Sequence, residues 1–226
     1  MDELRSPPRH YYALRYLQHD DRWSHRPALT IPDTIKHLLQ EITKSGDPVR
    51  LLDIGCGRMT VTSPIVREFQ NIYALGIDWA LNDIMKAYPH FESELTVIPR
   101  ISLIRADFME FRCIPRFHVA VDLGMFHHLV PHDWPKYVAQ IRDILVDYGH
   151  VFLYSFHPSD QNWNSLEPGG HIRKGYYCHY HNMDSISEIF RYNVTDKGLS
   201  LSLRHCPDVM TNGPLGPVFS PSPTRC

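Results

Sequence analysis

The sequence predicts an α/β protein built on an open, mostly parallel twisted sheet with helices on both faces. Three observations carry that expectation. Short β-rich runs alternate with helical stretches through the middle of the chain, the first run passes directly into a glycine turn, and three of the runs end at a carboxylate or lead into one.

Ile35 to Ile42 repeats apolar residues at helical spacing and stops at Gly46-Asp47-Pro48. Val49 to Ile54 follows as a strand, apolar except for Arg50 and Asp53. After Gly57, Thr60 or Thr62 is placed to cap a helix that carries Pro64 in its first turn and runs to about Phe69. Tyr73 to Asp78 is the second strand, and Ala80 to Tyr88 the helix after it. A longer loop containing Pro89 and Pro99 leads to a third strand, Ile101 to Asp107. Val119 to Leu123 is the fourth strand, Asp133 to Leu145 a helix, Tyr148-Gly149 a turn, and Val151 to Phe156 the fifth strand. In an open α/β sheet the ligand crevice lies at the carboxyl ends of the strands, so Asp53, Asp78 and Asp107 are expected to face one site.

Composition narrows the function classes. Hydrophobic residues at 43% and charged residues at 21% are globular values, which argues against wholesale disorder. A formal charge of -2 leaves no footprint for a polyanion, and the densest basic segment, Arg5 to Arg26, is interrupted by Asp20-Asp21 and by aromatic residues, so nucleic acid is not the expected partner. The five cysteines, Cys56, Cys113, Cys178, Cys206 and Cys226, are scattered without Cys-x-x-Cys pairing and suit a reducing cytoplasm. No window approaches the roughly 18 apolar residues of a membrane span, and the start does not read as a signal peptide, so a soluble cytoplasmic chain with no membrane partner is expected.

A glycine turn between strand and helix lets backbone N–H groups approach a ligand closely, although Gly-x-Gly alone equally suits a structural turn. Leu51-Leu52-Asp53-Ile54-Gly55-Cys56-Gly57 resembles the first motif of class I S-adenosylmethionine-dependent methyltransferases, whose fold is Rossmann-like, with Met59 standing where the family has its third glycine. The resemblance implies that Gly55, Cys56 and Gly57 hold the methionine end of S-adenosylmethionine and that Asp53 orders their loop. A dinucleotide site would want the full Gly-x-Gly-x-x-Gly to cradle a pyrophosphate, which is missing here.

In Gly76-Ile77-Asp78-Trp79 the carboxylate follows Asp53 by 25 positions. By the same resemblance, Asp78 accepts both ribose hydroxyls and Trp79 lies against the adenine; an acidic helix cap followed by a core tryptophan is the other reading. Arg105-Ala106-Asp107-Phe108 resembles the next motif, with Asp107 at the adenine amino group and Phe108 on the ring, and a plain strand-end carboxylate remains its alternative. Leu123, at the end of the fourth strand, is counted with the cofactor residues. The chain is then one domain over residues 1–226, with a cap at 1–34, the cofactor-binding core at 35–157, an acceptor-side loop, helix and strand at 158–206, and a proline-rich tail at 207–226. A cap helix is expected around Tyr11 to Leu17, a long loop from His157 to His181, a helix over Met183 to Tyr192 and a strand over Leu199 to Leu203.

Val121-Asp122-Leu123-Gly124-Met125-Phe126-His127-His128-Leu129 sits where methyl and acceptor should meet, and it lacks the Asn/Asp-Pro-Pro-Tyr/Phe tetrapeptide of nucleic-acid amino methyltransferases. With Pro131 to Val138, Leu145-x-x-x-Gly149 and Phe152 to Phe156, it is similar to small-molecule methyltransferases of the thiopurine methyltransferase-like group. The implied reaction is transfer of methyl from S-adenosylmethionine, giving S-adenosylhomocysteine, to an O, N or S atom of a small aromatic or heterocyclic acceptor. RNA or protein methylation and a non-catalytic cofactor-binding subunit are the alternatives. Histidine titrates near neutrality, so His127, His128 and His157 are the candidate bases; the same histidines could equally only shape the pocket. His179 and His181 would share one face of a strand and could pair on a metal, but without a carboxylate at ligand spacing and with Tyr176, Tyr177 and Tyr180 interleaved they read as an aromatic wall, and no metal is expected. Tyr11, Tyr12, Tyr16 and Trp23 form either a lid or a helix packed on the sheet.

Overall fold

A computed structural model describes residues 7–20, 33–91, 98–112, 116–156, 169–173, 176–193 and 200–206. The expected strands β1 (Val49–Ile54), β2 (Ile72–Ile77), β3 (Ile101–Ile104), β4 (Phe117–Asp122) and β5 (Leu145–Phe156) form one sheet with β8 (Ser200–Cys206), the strand expected over Leu199 to Leu203. The order is β3-β2-β1-β4-β5-β8, with every pairing parallel. The order reverses direction between β1 and β4, and this switch point is where a doubly wound sheet opens a crevice at its strand ends.

Alternation along the strands divides the core in two. Val49, Leu51, Val119, Val121 and Phe152 face one layer, where they pack with Leu39 of α2 (Asp33–Thr43), Ile65 and Val66 of α3 (Thr62–Glu68) and Ile84 of α4 (Leu81–Ala87). Leu52, Ile54, Ala120, Val151 and Leu153 face the other, against Tyr137, Val138 and Ile141 of α5 (Trp134–Ile144) and Ile186 and Phe190 of α6 (Met183–Asn193). Helix α5 shows why these residues fold as they do. Pro135 sits in its first turn, where a missing N–H costs nothing, and the buried Tyr137, Val138, Ile141 and Ile144 recur at the helical period. Helix α1 (Arg9–Leu17) lies over the first layer and buries Tyr16 there.

The structure corrects several expectations. Thr62 does not cap α3: the cap position is Val61, without a side-chain hydrogen bond, because the Thr62 hydroxyl is committed to Asp53. The third strand stops at Ile104, three residues before Asp107. Tyr148-Gly149 is not a separate turn. β5 begins at Leu145 and runs through it with a register jump, Phe117 pairing Leu145 and Val119 pairing His150; Tyr148 absorbs the extra residues at φ 60°. The stretch from His157 to His181 is not one long loop. It contains an antiparallel hairpin of β6 (Gly169–Arg173) and β7 (Tyr176–Tyr180), in which His171 pairs with Cys178 and Gly169 with Tyr180. His157, Trp23 and the tail from 207 lie outside the described residues.

Candidate active site

The glycine turn leaves β1 with Gly55 at φ 63°, Gly57 at φ 49° and Met59 at φ 51°. All three lie in the left-handed region, so the turn keeps the path of a three-glycine loop even though its third position is a methionine. Met59 is 1% exposed and packs into the first layer, which holds it in that conformation. A Cβ on Gly57 would stand 2.9 Å from the Tyr16 hydroxyl of α1, so the glycine also makes room for the cap helix.

Buried carboxylates tie this turn together. Asp53 accepts a 2.5 Å hydrogen bond from the Thr62 hydroxyl. Burial pushes its carboxyl up to about 7; the Thr62 bond opposes that rise, while the charges of Asp122 and Asp78 add to it. Asp78, just past β2, accepts the Gly57 N–H at 3.0 Å on one oxygen and the Ala80 N–H at 2.8 Å on the other. One side chain thus joins the turn after β1 to the helix after β2. Each carboxylate oxygen has a second lone-pair direction, which is the capacity a diol would use. Burial raises the Asp78 carboxyl, and these two N–H bonds pull it back. Cys56 is buried within the turn, and burial beside Asp53 and Asp78 holds its thiol well above the usual range.

The other residues expected at the cofactor lie on the segments that follow β2, β3 and β4. Trp79 is half-buried beside Tyr12, the ring centroids 6.3 Å apart in an edge-on arrangement. Asp107 caps the 3₁₀ turn Phe108–Glu110, accepting the Met109 N–H at 2.9 Å. Phe108 is 3% exposed and packs on Tyr137 in the second core layer, with ring centroids 5.4 Å apart. Leu123 is half-buried against the first layer.

Asp122, the last residue of β4, is the principal site residue that sequence reasoning passed over. It is wholly buried and accepts four hydrogen bonds: from the N–H groups of Gly124, Met125 and Phe126 at 2.9, 2.7 and 3.1 Å, and from the Tyr137 hydroxyl at 2.7 Å. Burial lifts its carboxyl to about 6 against the pull of these donors, of which Tyr137 is the strongest. The effect is to fold the chain after β4 into a 3₁₀ turn, Phe126–His128, that carries both candidate histidines. The signal was present in the sequence: β4 ends on a carboxylate as β1 nearly does.

His127 is buried and stacks on Phe156 at 4.0 Å between ring centroids. His128 is half-buried, 4.3 Å from the His127 ring and 5.5 Å from the Tyr12 ring, and its Nδ1 lies 3.4 Å from the Tyr177 carbonyl oxygen. Trp79, Tyr12 and His128 therefore form a continuous aromatic row from the Asp78 end of the crevice to the end of β4. His179 and His181 lie against Trp134, with ring centroids at 4.7 and 5.3 Å. Burial lowers them to about 4 and about 3, so both are neutral near pH 7.

A sheet of this order, with a glycine turn and buried aspartates gathered at its switch point, has the Rossmann-like fold of class I, S-adenosylmethionine-dependent methyltransferases. Residues 51–149 match the family model of a methyltransferase domain, and the chain carries that domain. No curated protein matches the chain in sequence. Among solved structures, 1,6-didemethyltoxoflavin-N1-methyltransferase of Burkholderia thailandensis, crystallised with 1,6-didemethyltoxoflavin and S-adenosylhomocysteine, is similar over 84% of this chain and 81% of its own, at 19% identity and a TM-score of 0.60. N-methyltransferase NodS of Bradyrhizobium japonicum, in complex with S-adenosylhomocysteine, covers 80% of this chain and 84% of its own at 16% identity and a TM-score of 0.54. The [4+2]-cyclase SpnF is as similar, with a TM-score of 0.61 and 15% identity over 84% of this chain and 73% of its own. The same fold thus carries unlike reactions, and the acceptor must be argued from the site. Among the described residues no helix is long and apolar enough to cross a membrane.

Proposed function

We propose that this chain transfers the methyl group of S-adenosylmethionine to an O, N or S atom of a small aromatic or heterocyclic acceptor, acting in the cytoplasm. The observation that carries this reading is the aromatic row from Trp79 through Tyr12 to His128, which begins beside Asp78 and the glycine turn and ends on imidazoles. The residues fit the cofactor. Gly55 to Gly57 offer a close-approach backbone for its amino-acid end, Asp78 has lone pairs for a ribose diol, and Trp79 stands beside them. Bound S-adenosylmethionine supplies an electrophilic methyl on a sulfonium, so the acceptor loses a proton, gains the methyl, and S-adenosylhomocysteine remains.

The protein's own work is then to align the acceptor, exclude water and take up that proton. His127, His128 and His157 are its candidate proton acceptors. His128 is favoured because it faces Tyr12 and because the Tyr177 carbonyl at Nδ1 selects the tautomer with a lone pair on Nε2. A planar acceptor suits an aromatic row, and the 1,6-didemethyltoxoflavin bound by the Burkholderia enzyme is the first compound to try.

The test is calorimetry with S-adenosylmethionine and S-adenosylhomocysteine, followed by labelled methyl transfer to a panel of azoles, phenols, thiols and amines. Binding of both and labelling of a panel member is expected. Absence of binding, or label entering RNA or protein while the panel stays unlabelled, would overturn the reading.

A further inference from the structure

The hairpin that the sequence did not reveal brings a third donor to the two histidines. The ligand atoms of His127, His128 and Cys178 all lie within 4.8 Å of one another, with His127 and Cys178 buried. The donors come from separate elements, the 3₁₀ turn held by Asp122 and strand β7, so the cluster is a product of the tertiary fold. We propose that it is a binding site for a thiophilic divalent cation of the zinc class.

The donor chemistry fits. A thiolate and two neutral imidazoles form a mixed sulfur and nitrogen set of the kind zinc takes, and three protein ligands leave a coordination position for water or substrate. The surroundings fit as well. A ligating histidine commonly turns its other ring nitrogen toward a backbone carbonyl, and His128 Nδ1 faces the Tyr177 carbonyl at 3.4 Å, which leaves Nε2 as the coordinating atom. Four donors on Asp122 fix the turn bearing both imidazoles, so two of the three ligands are set before a cation arrives. The expectation of no metal rested on His179 and His181, a different pair.

Binding replaces the Cys178 thiol proton: thiol plus divalent cation gives the metal thiolate and one released proton. The site itself stands on geometry alone. That it would present a thiol, phenol or azole to the methyl donor rests on the methyl-transfer reading; in that case His128 is a ligand, and proton loss is promoted by the cation, which lowers the pKa of the group it binds.

The experiment uses the full chain, stripped with chelator and titrated with cobalt chloride, then zinc chloride. One equivalent of cobalt should produce a thiolate-to-cobalt charge-transfer band that zinc abolishes. Cys178→Ser should lose the band and weaken zinc binding at least tenfold, and His128→Asn should weaken it while keeping the band. Should Cys178→Ser fail to fold, alkylation of wild-type Cys178 followed by mass spectrometry replaces it, and zinc should slow that alkylation at least tenfold. No band at one equivalent, a band that survives in folded Cys178→Ser, or alkylation indifferent to zinc would overturn the proposal. Calorimetry with S-adenosylhomocysteine on the stripped chain reads the methyltransferase site separately, so failure of one leaves the other standing.

Discussion

Met59 occupies a left-handed backbone position with a side chain buried in the core, two demands that oppose each other. A non-glycine residue there costs about 1–2 kcal/mol, whereas truncating a buried methionine costs about 2–5 kcal/mol. Packing wins, which is why a methionine can replace the glycine. The usual order of substitutions should invert: Met59→Gly loses the packing but relieves the backbone, while Met59→Ala loses the packing and keeps the strain. Urea denaturation should rank wild type above Met59→Gly, and Met59→Gly above Met59→Ala by about 1 kcal/mol. Asp53 makes a prediction in pH. Its folded carboxyl sits at about 7, above the unfolded value, so the chain folds with that proton on. The associated stability is present in full below about pH 4 and is lost as pH rises through about 7. Asp53→Asn, which cannot ionise but can still accept from Thr62, should gain on the wild type by roughly 2–4 kcal/mol between pH 4 and pH 8, read from paired denaturation curves. A constant offset across that range would contradict the assignment.

At the scale of elements, the turn after β4 is held by Asp122 and its partners, and Tyr137 is the one donor contributed by another element. A hydrogen bond to a charged group is worth about 1.5–3 kcal/mol, so Tyr137→Phe should destabilise by that amount. It should also loosen Phe126–His128, lowering kcat about tenfold while KM for S-adenosylmethionine changes less than twofold, because Asp78 and the glycine turn belong to other elements. Equal changes in both constants would mean a global effect instead. Legibility in the sequence follows the same division. β1, β2, β4 and α5 announce themselves because each buries an unbroken or periodic apolar run. The β6 and β7 hairpin does not: it opens on Gly169-Gly170, and its strands mix tyrosine with histidine and cysteine, residue types that line loops as readily as strands. The candidate site was legible where a carboxylate lies at a strand end, as at Asp53 before its glycine turn and at Asp78 just past β2. It was hidden where the partner is far along the chain, as with Tyr137 for Asp122 and Cys178 for the histidine pair.

Across the whole molecule, the candidate site is assembled from segments that follow neighbouring, directly paired strands, together with the helix α1. The glycine turn follows β1, Asp78 follows β2, the histidine turn follows β4, and α1 arrives from the N-terminal cap to set Tyr16 on Gly57 and Tyr12 between Trp79 and His128. A ligand seated there contacts elements from both ends of the described core, so its binding energy is drawn on by global unfolding rather than by one loop. At a concentration one hundred times its dissociation constant, S-adenosylhomocysteine should add about 2.7 kcal/mol to stability. For a chain of this size that corresponds to a rise in Tm of roughly 5–10 °C, measurable by calorimetry and increasing with ligand concentration. Tyr16→Ala should keep the rise but shrink it, because the α1 wall weakens while Asp78 and the turn persist. Asp78→Ala should abolish it, since that change removes both the proposed diol acceptor and the bond that shapes the turn. If Asp78→Ala retained the full rise while Tyr16→Ala lost it, the ligand would be held by the cap helix and not by the strand ends, and the placement of the cofactor at the switch point would have to be given up.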